Sequence, residues 1–597
     1  MTPGLVGFIA AGQDPRAWEE SVAAALTALA TEFEVRSERG GAPVAAGRQT
    51  LLDTFDWRLH RAGLTLEYVT RPVGGELRLT GGAAGPTATA SAAGTISAAG
   101  TISAAGSISA TGTRGPADTG SVDPPAAPLA ITQPVTGWQA ARPHLMGELP
   151  DGPVASRIAN LVCPRALLPV VAVTSATTIR RLLNEDGKTV ARLLVEHPAI
   201  GHQRSGPNDI PLAPRLSIAE VRGYPGSARR AARLVGAAPG ITSAETPVLA
   251  EALRAVGRRP GDYSNKVDTP ITAAQPASQA AATILLRLLD TIDANVPGVL
   301  ADIDTEFLHD LRVSVRRTRS ALKLLGDVLT GPLTPKEVAF FAAEFKWVGD
   351  LTTPTRDLDV HLLDFDDTAH ALSAAKPDDL EPFRSYLEQR RRREFRLLSR
   401  GLKSARFTEL SRDWRARLTT IENGNPAARG TAVRSGRGRQ AAGTTTGTLA
   451  AERTRAAFVK VARRGAEITP GSPAESLHDL RKRCKELRYA LEFFAPLYDR
   501  TAQAKVVGEL KRLQDCLGEF QDTQVQIGEI RALATAMLAA GEAPAVTLLA
   551  MGEVTAGLVS RQRAAREDFG RRFAAFAGID GQRRMSALLR GKPGVGN

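Results

Sequence analysis

Cysteine, aromatic residues and long apolar runs are all scarce in this chain of 597 residues. Its three cysteines, Cys163, Cys484 and Cys516, stand far apart, so we expect neither a disulfide framework nor a zinc site. The absence of any run of about 18 uncharged apolar residues predicts no membrane span. No charged segment followed by a long apolar run opens the chain, so we also expect no signal peptide. These absences predict a protein of the reducing cytoplasm.

The composition indicates folded domains with a basic surface. Apolar residues make up 43% of the chain but aromatic residues only 5%, so we expect cores rich in Ala, Leu and Val. Lys and Arg number 76 against 63 Asp and Glu, a formal net charge of +13 that favours a polyanionic partner. The length suggests two to four domains.

One motif occurs twice, first opening at Leu308 and again at Leu477. The two copies read LHDLRVSVRRTRSALKLL (308–325) and LHDLRKRCKELRYALEFF (477–494), and neither contains Gly or Pro, which predicts two helices. Offsets 0, 3, 7 and 10 from each histidine fall within an arc of roughly 80° on a helix. We call the residues at these offsets the basic stripes: His309, Arg312, Arg316 and Arg319 in copy one, and His478, Arg481, Lys485 and Arg488 in copy two. The adjoining face of each helix is apolar, so each helix is predicted to pack on a core and present its stripe.

Four basic groups along one helix repel each other unless an anion compensates them. Arginine forks suit phosphate oxygens, and histidine titrates near neutral pH. Two alternatives remain open, a solvated face and internal pairing with carboxylates such as Asp310 and Asp479.

A second duplicated element follows each stripe at a similar separation along the chain. In copy one it is Arg356-Asp357-Leu358-Asp359, and in copy two it contains Asp522, which is preceded by Gln521. These carboxylates either orient the stripe residues or serve as ordinary caps at helix starts.

The duplicated HDLR motif with its spaced basic residues and its downstream RDLDV-type segment resembles the CHAD domain (conserved histidine α-helical domain). The resemblance covers about 275–590, and it implies two pseudo-symmetric helical bundles facing a basic cavity that binds inorganic polyphosphate without a cofactor. The implied binding residues are His309, Arg312, Arg316, Arg317, Arg319, Arg356, His478, Arg481, Lys482, Lys485 and Arg488, supported by Asp357, Asp359 and Asp522. Copy two departs from the pattern, with Gln521 in place of the arginine and Gln524 in place of the second aspartate.

The first half of the chain predicts a different fold, with a helix at 16–30, a strand at Glu32–Arg36 and a hairpin turning at Glu185-Asp186-Gly187. LLDTFDWRLHRAGLTLEYV (51–69) resembles a segment of the CYTH family of triphosphate tunnel enzymes and adenylate cyclases. The resemblance implies an antiparallel β-barrel whose carboxylates hold Mg²⁺ or Mn²⁺ and whose bases hold a triphosphate.

The candidate catalytic carboxylates are Glu32 and Glu34, which period-two spacing places on one strand face with Arg36, and Glu220. The family's Leu-Arg-x-Arg is here Leu66-Glu67-Tyr68-Val69, which lacks two bases. We therefore favour a degenerate domain over an active one, and we predict no metal site.

The predicted organisation is multidomain. An α+β, CYTH-like domain occupies 1–240 and contains a disordered low-complexity insertion at 83–127. A linker at 241–274 leads to an all-α CHAD domain at 275–590, with repeats at 275–420 and 450–590 that are joined by a linker at 421–449.

Three functions compete. The leading hypothesis is polyphosphate binding, with polyphosphate granules as a candidate location. The alternative is a metal-dependent triphosphatase or polyphosphate hydrolase in the CYTH-like tunnel. Nucleic-acid binding is the weaker candidate, because aromatic residues for base stacking are scarce.

Overall fold

Strands dominate the first part of the chain and long helices the second, and these parts form two units that divide between Ser264 and Asn265. The computed structural model describes residues 6–10, 15–38, 44–45, 47–71, 73–81, 129–201, 209–244, 246–424 and 444–590. The predicted insertion at 83–127, and residues 425–443 of the predicted linker at 421–449, lie outside these ranges.

The first unit is an antiparallel sheet flanked by helices, which confirms the predicted α+β class. Its strands are β1 (Val6–Ala10), β2 (Glu34–Ser37), β3 (Val44–Ala45), β4 (Gln49–Asp53), β5 (Leu64–Thr70), β6 (Gly75–Gly81), β7 (Leu129–Val135), β8 (Leu168–Leu183), β9 (Thr189–Ile200), β10 (Ile210–Pro211), β11 (Arg215–Glu220) and β12 (Ile241–Ser243). Its helices are α1 (Pro15–Ala30), α2 (Arg58–Arg61), α3 (Pro153–Val162), α4 (Pro225–Gly236) and α5 (Val248–Ala255). Helix α1 confirms the helix predicted at 16–30.

The sheet corrects the expectation of a closed β-barrel. Among the described residues its strands follow the open order β12-β1-β11-β9-β8-β4-β5-β6-β7, with β2, β3 and β10 as side branches. Closure requires the two terminal strands to pair. Here β12 has only three residues and pairs with β1, while β7 pairs with β6.

The hairpin predicted around Glu185-Asp186-Gly187 is confirmed. Strands β8 and β9 pair antiparallel along most of their length, and Gly187 adopts a φ of 71° in the turn between them. Glycine is favoured there because a positive φ strains residues with a Cβ atom.

The segment 241–274 differs from the linker that the sequence predicts, since its first part belongs to the first unit. Strand β12 pairs with β1, and α5 packs Leu249 and Leu253 against Val171 and Val173 of β8. Asp262 also joins this unit, because its Oδ1 accepts a hydrogen bond of 2.8 Å from the indole Nε1–H of a buried tryptophan.

The second unit is helical, as predicted. Its helices are α6 (Ala277–Leu300), α7 (Thr305–Leu329), α8 (Pro335–Leu363), α9 (Phe365–His370), α10 (Glu381–Leu402), α11 (Ala405–Glu422), α12 (Thr446–Ala466), α13 (Ala474–Phe493), α14 (Arg500–Ala540), α15 (Ala545–Ala577) and α16 (Ile579–Arg590). The duplication aligns α7 with α13 and α8 with α14, and α7 packs directly against α13. The two halves also share a core, in which Leu358 and Phe365 meet Ile530, Leu533 and Met537.

None of the helices in the described ranges is both long and apolar enough to cross a membrane.

A glycine in α6 marks a close approach of two helices, and we predict that Gly298→Ala destabilises the unit. A Cβ atom at Gly298 would fall inside the ring of Phe307, which is buried at the start of α7. We expect a loss of about 1–3 kcal/mol in the free energy of unfolding, although alanine is the better helix former.

The control is Gly528→Ala in α14, where a Cβ atom would meet nothing within 4 Å. This change should raise the free energy of unfolding by about 0.5–1 kcal/mol. Chemical unfolding measures both variants, and a stabilised Gly298→Ala chain would contradict the proposed close packing.

Candidate anion-binding site

The two motif segments fold as continuous helices whose apolar faces are buried, which confirms that part of the sequence analysis. Asp304 caps α7 by accepting hydrogen bonds from the backbone N–H groups of Glu306 and Phe307. The buried residues of the two faces are Leu308, Leu311, Val315, Leu322 and Leu325, and Leu477, Leu480, Cys484, Leu491 and Phe494. Packing on these faces fixes the rotation of each helix and therefore the direction of each stripe.

Cations from both copies share one electrostatic environment. Burial, together with the nearby charges of Arg481 and Arg316, lowers the pKa of Lys485 to about 8, although Asp522 acts to raise it. Burial likewise lowers the pKa of Arg316, with Tyr489 opposing the change and Arg317, Arg356 and Arg481 adding to it. Arg316 lies in copy one and Lys485 in copy two, so the structure brings the two stripes together.

Two stripe arginines at equivalent positions, Arg312 and Arg481, have carboxylate partners related by the duplication. Asp357 lies 3.8 Å from Arg312, which also donates a 2.6 Å hydrogen bond to Thr353 Oγ1. Asp522 lies 2.9 Å from Arg481. Burial lowers the pKa of Arg312 to about 10, although the nearby Asp357 carboxylate acts to raise it. Both aspartates lie inside long helices, so the alternative that they cap helix starts is wrong.

Arg316 and Lys485 differ from these arginines. Within the described ranges neither side chain has a carboxylate within salt-bridge distance or a hydrogen bond, and both are only partly exposed. The Nε of Arg316 is buried without an acceptor, an arrangement that costs free energy. These two charges are therefore the ones that an incoming anion would compensate.

Arg356 stands beside this pair but is held by the protein. It donates a 3.0 Å hydrogen bond to the carbonyl of Thr305, and the Glu306 carboxylate lies 3.8 Å away. Asp359, predicted to support the stripes, instead pairs with Arg391 of α10 at 2.5 Å.

The two histidines lie within their helices, one turn or more from the start, and thus are not helix-start residues. His478 Nδ1 lies 2.8 Å from Gln521 Oε1. Gln521 in copy two occupies the position that Arg356 occupies in copy one. Copy two therefore has, in place of a cation, a neutral side chain within hydrogen-bond distance of His478. His309 is also partly buried.

The other predicted binding residues lie at different depths. Arg319 and Lys482 are exposed, and Gly349 gives Arg319 room, since a Cβ atom there would lie 3.2 Å from Nη1 of Arg319. Arg317 and Arg488 both bind Glu492, at 3.1 and 2.6 Å.

Glu492 was not among the predicted site residues. At offset 14 from His478 it falls at about 320° on the helix, inside the arc of the stripe, so the same periodicity could have revealed it.

The acidic residues next to the histidines have partners of their own. Asp310 accepts a 2.7 Å hydrogen bond from Asn265, and Asp479 lies 3.5 Å from Arg464 and 3.7 Å from Arg483. Internal pairing of stripe arginines does occur, through Asp357, Asp522 and Glu492.

The three candidate catalytic carboxylates of the first unit are not assembled. Glu32 lies outside strand β2, in the turn after α1, 3.4 Å from Arg230, which corrects its placement on one strand face with Glu34. Glu34 pairs with Arg36 on the same exposed strand at 2.5 Å. Glu220 on β11 is separated from β2 by β9 and β8, three strand spacings or roughly 14 Å.

The described residues include no group of three or more His, Cys, Asp or Glu that could hold a metal ion. The three separated candidates, Glu32, Glu34 and Glu220, thus do not together fit the Mg²⁺ or Mn²⁺ that the CYTH resemblance implies.

The helical unit is similar to one known family. Residues 283–531 match the family model described as the CHAD domain. A crystal structure of the CHAD domain from the plant Ricinus communis has a TM-score of 0.43 and 23% identity, covering 53% of this chain and 96% of that chain. No curated protein matches the chain.

The low pKa of Lys485 predicts a pH-dependent stability. Between about pH 8 and 10.5 the folded chain has released a proton that the unfolded chain retains, so the free energy of unfolding rises with pH across this interval. Lys485→Met removes this titration. The free energy of unfolding of the unchanged chain should therefore exceed that of the variant by an amount that increases from about pH 7 to about pH 10.

Denaturant unfolding at several pH values measures this difference. Lys482→Met, an exposed lysine on the same helix, serves as the control and should follow the unchanged chain. A difference for Lys485→Met that stays constant with pH would contradict the shared electrostatic environment.

Proposed function

We propose that the helical unit, in which residues 283–531 match the family model of the CHAD domain, binds inorganic polyphosphate or a closely related polyanion. The observation that carries this proposal is that Arg316 and Lys485, one from each copy, act on each other electrostatically, while among the described residues neither has a carboxylate within salt-bridge distance. Arg312, Arg356 and Arg481 flank this pair and complete the proposed binding surface.

The chemistry of the surface suits condensed phosphate. Arginine offers planar pairs of N–H donors that match two phosphate oxygens, and lysine adds a compact charge. A phosphate polymer carries closely spaced negative charges, so successive groups could compensate cations that come from both copies. Binding would also return a proton to any Lys485 that is neutral, because a nearby anion favours the charged form.

Asp357 and Asp522 have a supporting role in this proposal. Each holds an arginine of one stripe, which fixes the guanidinium direction before a ligand arrives and lowers the entropy lost on binding. Association with polyphosphate granules would follow from the same surface.

We predict that Arg316→Glu combined with Lys485→Glu abolishes binding. Reversing the two uncompensated charges places carboxylates where phosphate would lie, and we expect affinity for long-chain polyphosphate to fall about 100-fold or more. The full chain is titrated with polyphosphate at two salt concentrations, with DNA as competitor at equal phosphate concentration.

The control is Arg393→Glu with Arg396→Glu, two exposed arginines of α10 whose reversal changes the net charge equally. This control should retain most of the affinity, and circular dichroism checks the helicity of each variant. Equal losses in the two double variants, or displacement by DNA as effective as by polyphosphate, would indicate nonspecific charge attraction and defeat the proposal.

A further inference from the structure

Glu492 is an acidic residue inside the basic surface. Its Oε2 accepts from Arg317 of α7 at 3.1 Å, and its Oε1 accepts from Arg488 of α13 at 2.6 Å. Burial acts to raise the pKa of Glu492, but the two arginines outweigh it and hold that pKa below its ordinary value. One carboxylate therefore occupies two guanidinium groups, one from each copy.

The two copies carry side chains of opposite charge at the position of Glu492. Glu492 and Lys323 are equivalent, because each stands at offset 14 from the motif histidine of its own copy. Lys323 pairs with Glu486, which is itself equivalent to Arg317, at offset 8. The two contacts between α7 and α13 are thus the same contact repeated, with two cations in copy one and two anions in copy two.

Only one of these anions lies in line with a stripe. On an ideal helix, measured from His478, Glu492 falls at about 320° and Glu486 at about 80°. The stripe itself spans about 280° to 360°. Glu492 follows Arg488 one turn further along the helix, at the end of the row of cations.

We propose that Glu492 closes the Arg488 end of the basic surface and withholds Arg317 and Arg488 from the ligand, which limits the number of phosphate groups held. This inference rests on the proposed polyphosphate binding. A phosphate group approaching that end would have to displace a carboxylate that already binds both guanidinium groups. The capacity of the site is then set by Arg312, Arg316, Arg356, Arg481 and Lys485.

The test compares Glu492→Gln with Glu486→Gln in the full chain. Both changes remove one negative charge from α13 and one bridge to α7, and the two side chains are similarly exposed, at 21% and 24%. Long-chain polyphosphate is titrated at several salt concentrations, which yields the affinity and its salt dependence. Glu492→Asp, which keeps the charge, is the conservative variant.

Glu492→Gln frees two cations for the ligand. We expect the slope of log K against log salt to steepen by about 1.4, the value for two further phosphate contacts on a single-stranded polyanion. We also expect binding about threefold or more tighter at low salt. Glu486→Gln and Glu492→Asp should keep the slope of the unchanged chain.

A second measurement covers the case in which Glu492→Gln does not fold. In the unchanged background Arg488→Ala should weaken binding less than about twofold, whereas Arg481→Ala should weaken it about tenfold or more. Equal losses at these two positions, or equal slopes for the two glutamine variants, would overturn the role of Glu492. Failure of the unchanged chain to bind polyphosphate would instead overturn the proposed function.

Discussion

Repulsion between partly buried cations is the constraint on which the helical unit depends. Arg316 and Lys485 approach each other from different copies, and burial removes much of the water that would screen them. The apolar faces of α7 and α13 must therefore hold the two helices against a force that drives the stripes apart. Asp357 and Asp522 relieve part of this repulsion. Burial is the main cause of the lowered pKa of Lys485, and Arg481 and Arg316 add to it.

The divergence of the two copies makes their pairing possible. If copy two repeated copy one without change, a lysine would stand at the position of Glu492, opposite Arg317. This lysine would add further positive charge to an interface that is already rich in cations. The sign reversal in copy two turns both contacts into ion pairs. The same reversal opposes pairing of two identical copies, so the interface favours one half bound to the other.

Helical periodicity allowed much of this site to be predicted, because offset determines direction within one helix. The stripes and the apolar faces follow from that rule, whereas Asp357 and Asp522 were identified as part of a second duplicated element. The rule cannot give the partner of a side chain on another helix, which is why Asp359 was assigned to the stripes although it binds Arg391. Sheet closure and the position of Glu32 depend on long-range pairing and on where a strand begins, and both predictions were wrong.

The two copies also hold their arginines differently, for a reason that lies one helical turn before each aspartate. Thr353 stands before Asp357, and its hydroxyl accepts from Arg312, whose carboxylate partner stays 3.8 Å away. Gly518 stands before Asp522 and offers no side chain, so Arg481 bonds directly to the carboxylate at 2.9 Å. A ligand would compete with a neutral hydroxyl in copy one and with a charged carboxylate in copy two. If the helical unit binds polyphosphate as proposed, copy one is therefore the half from which an arginine would be released to phosphate at the lower cost.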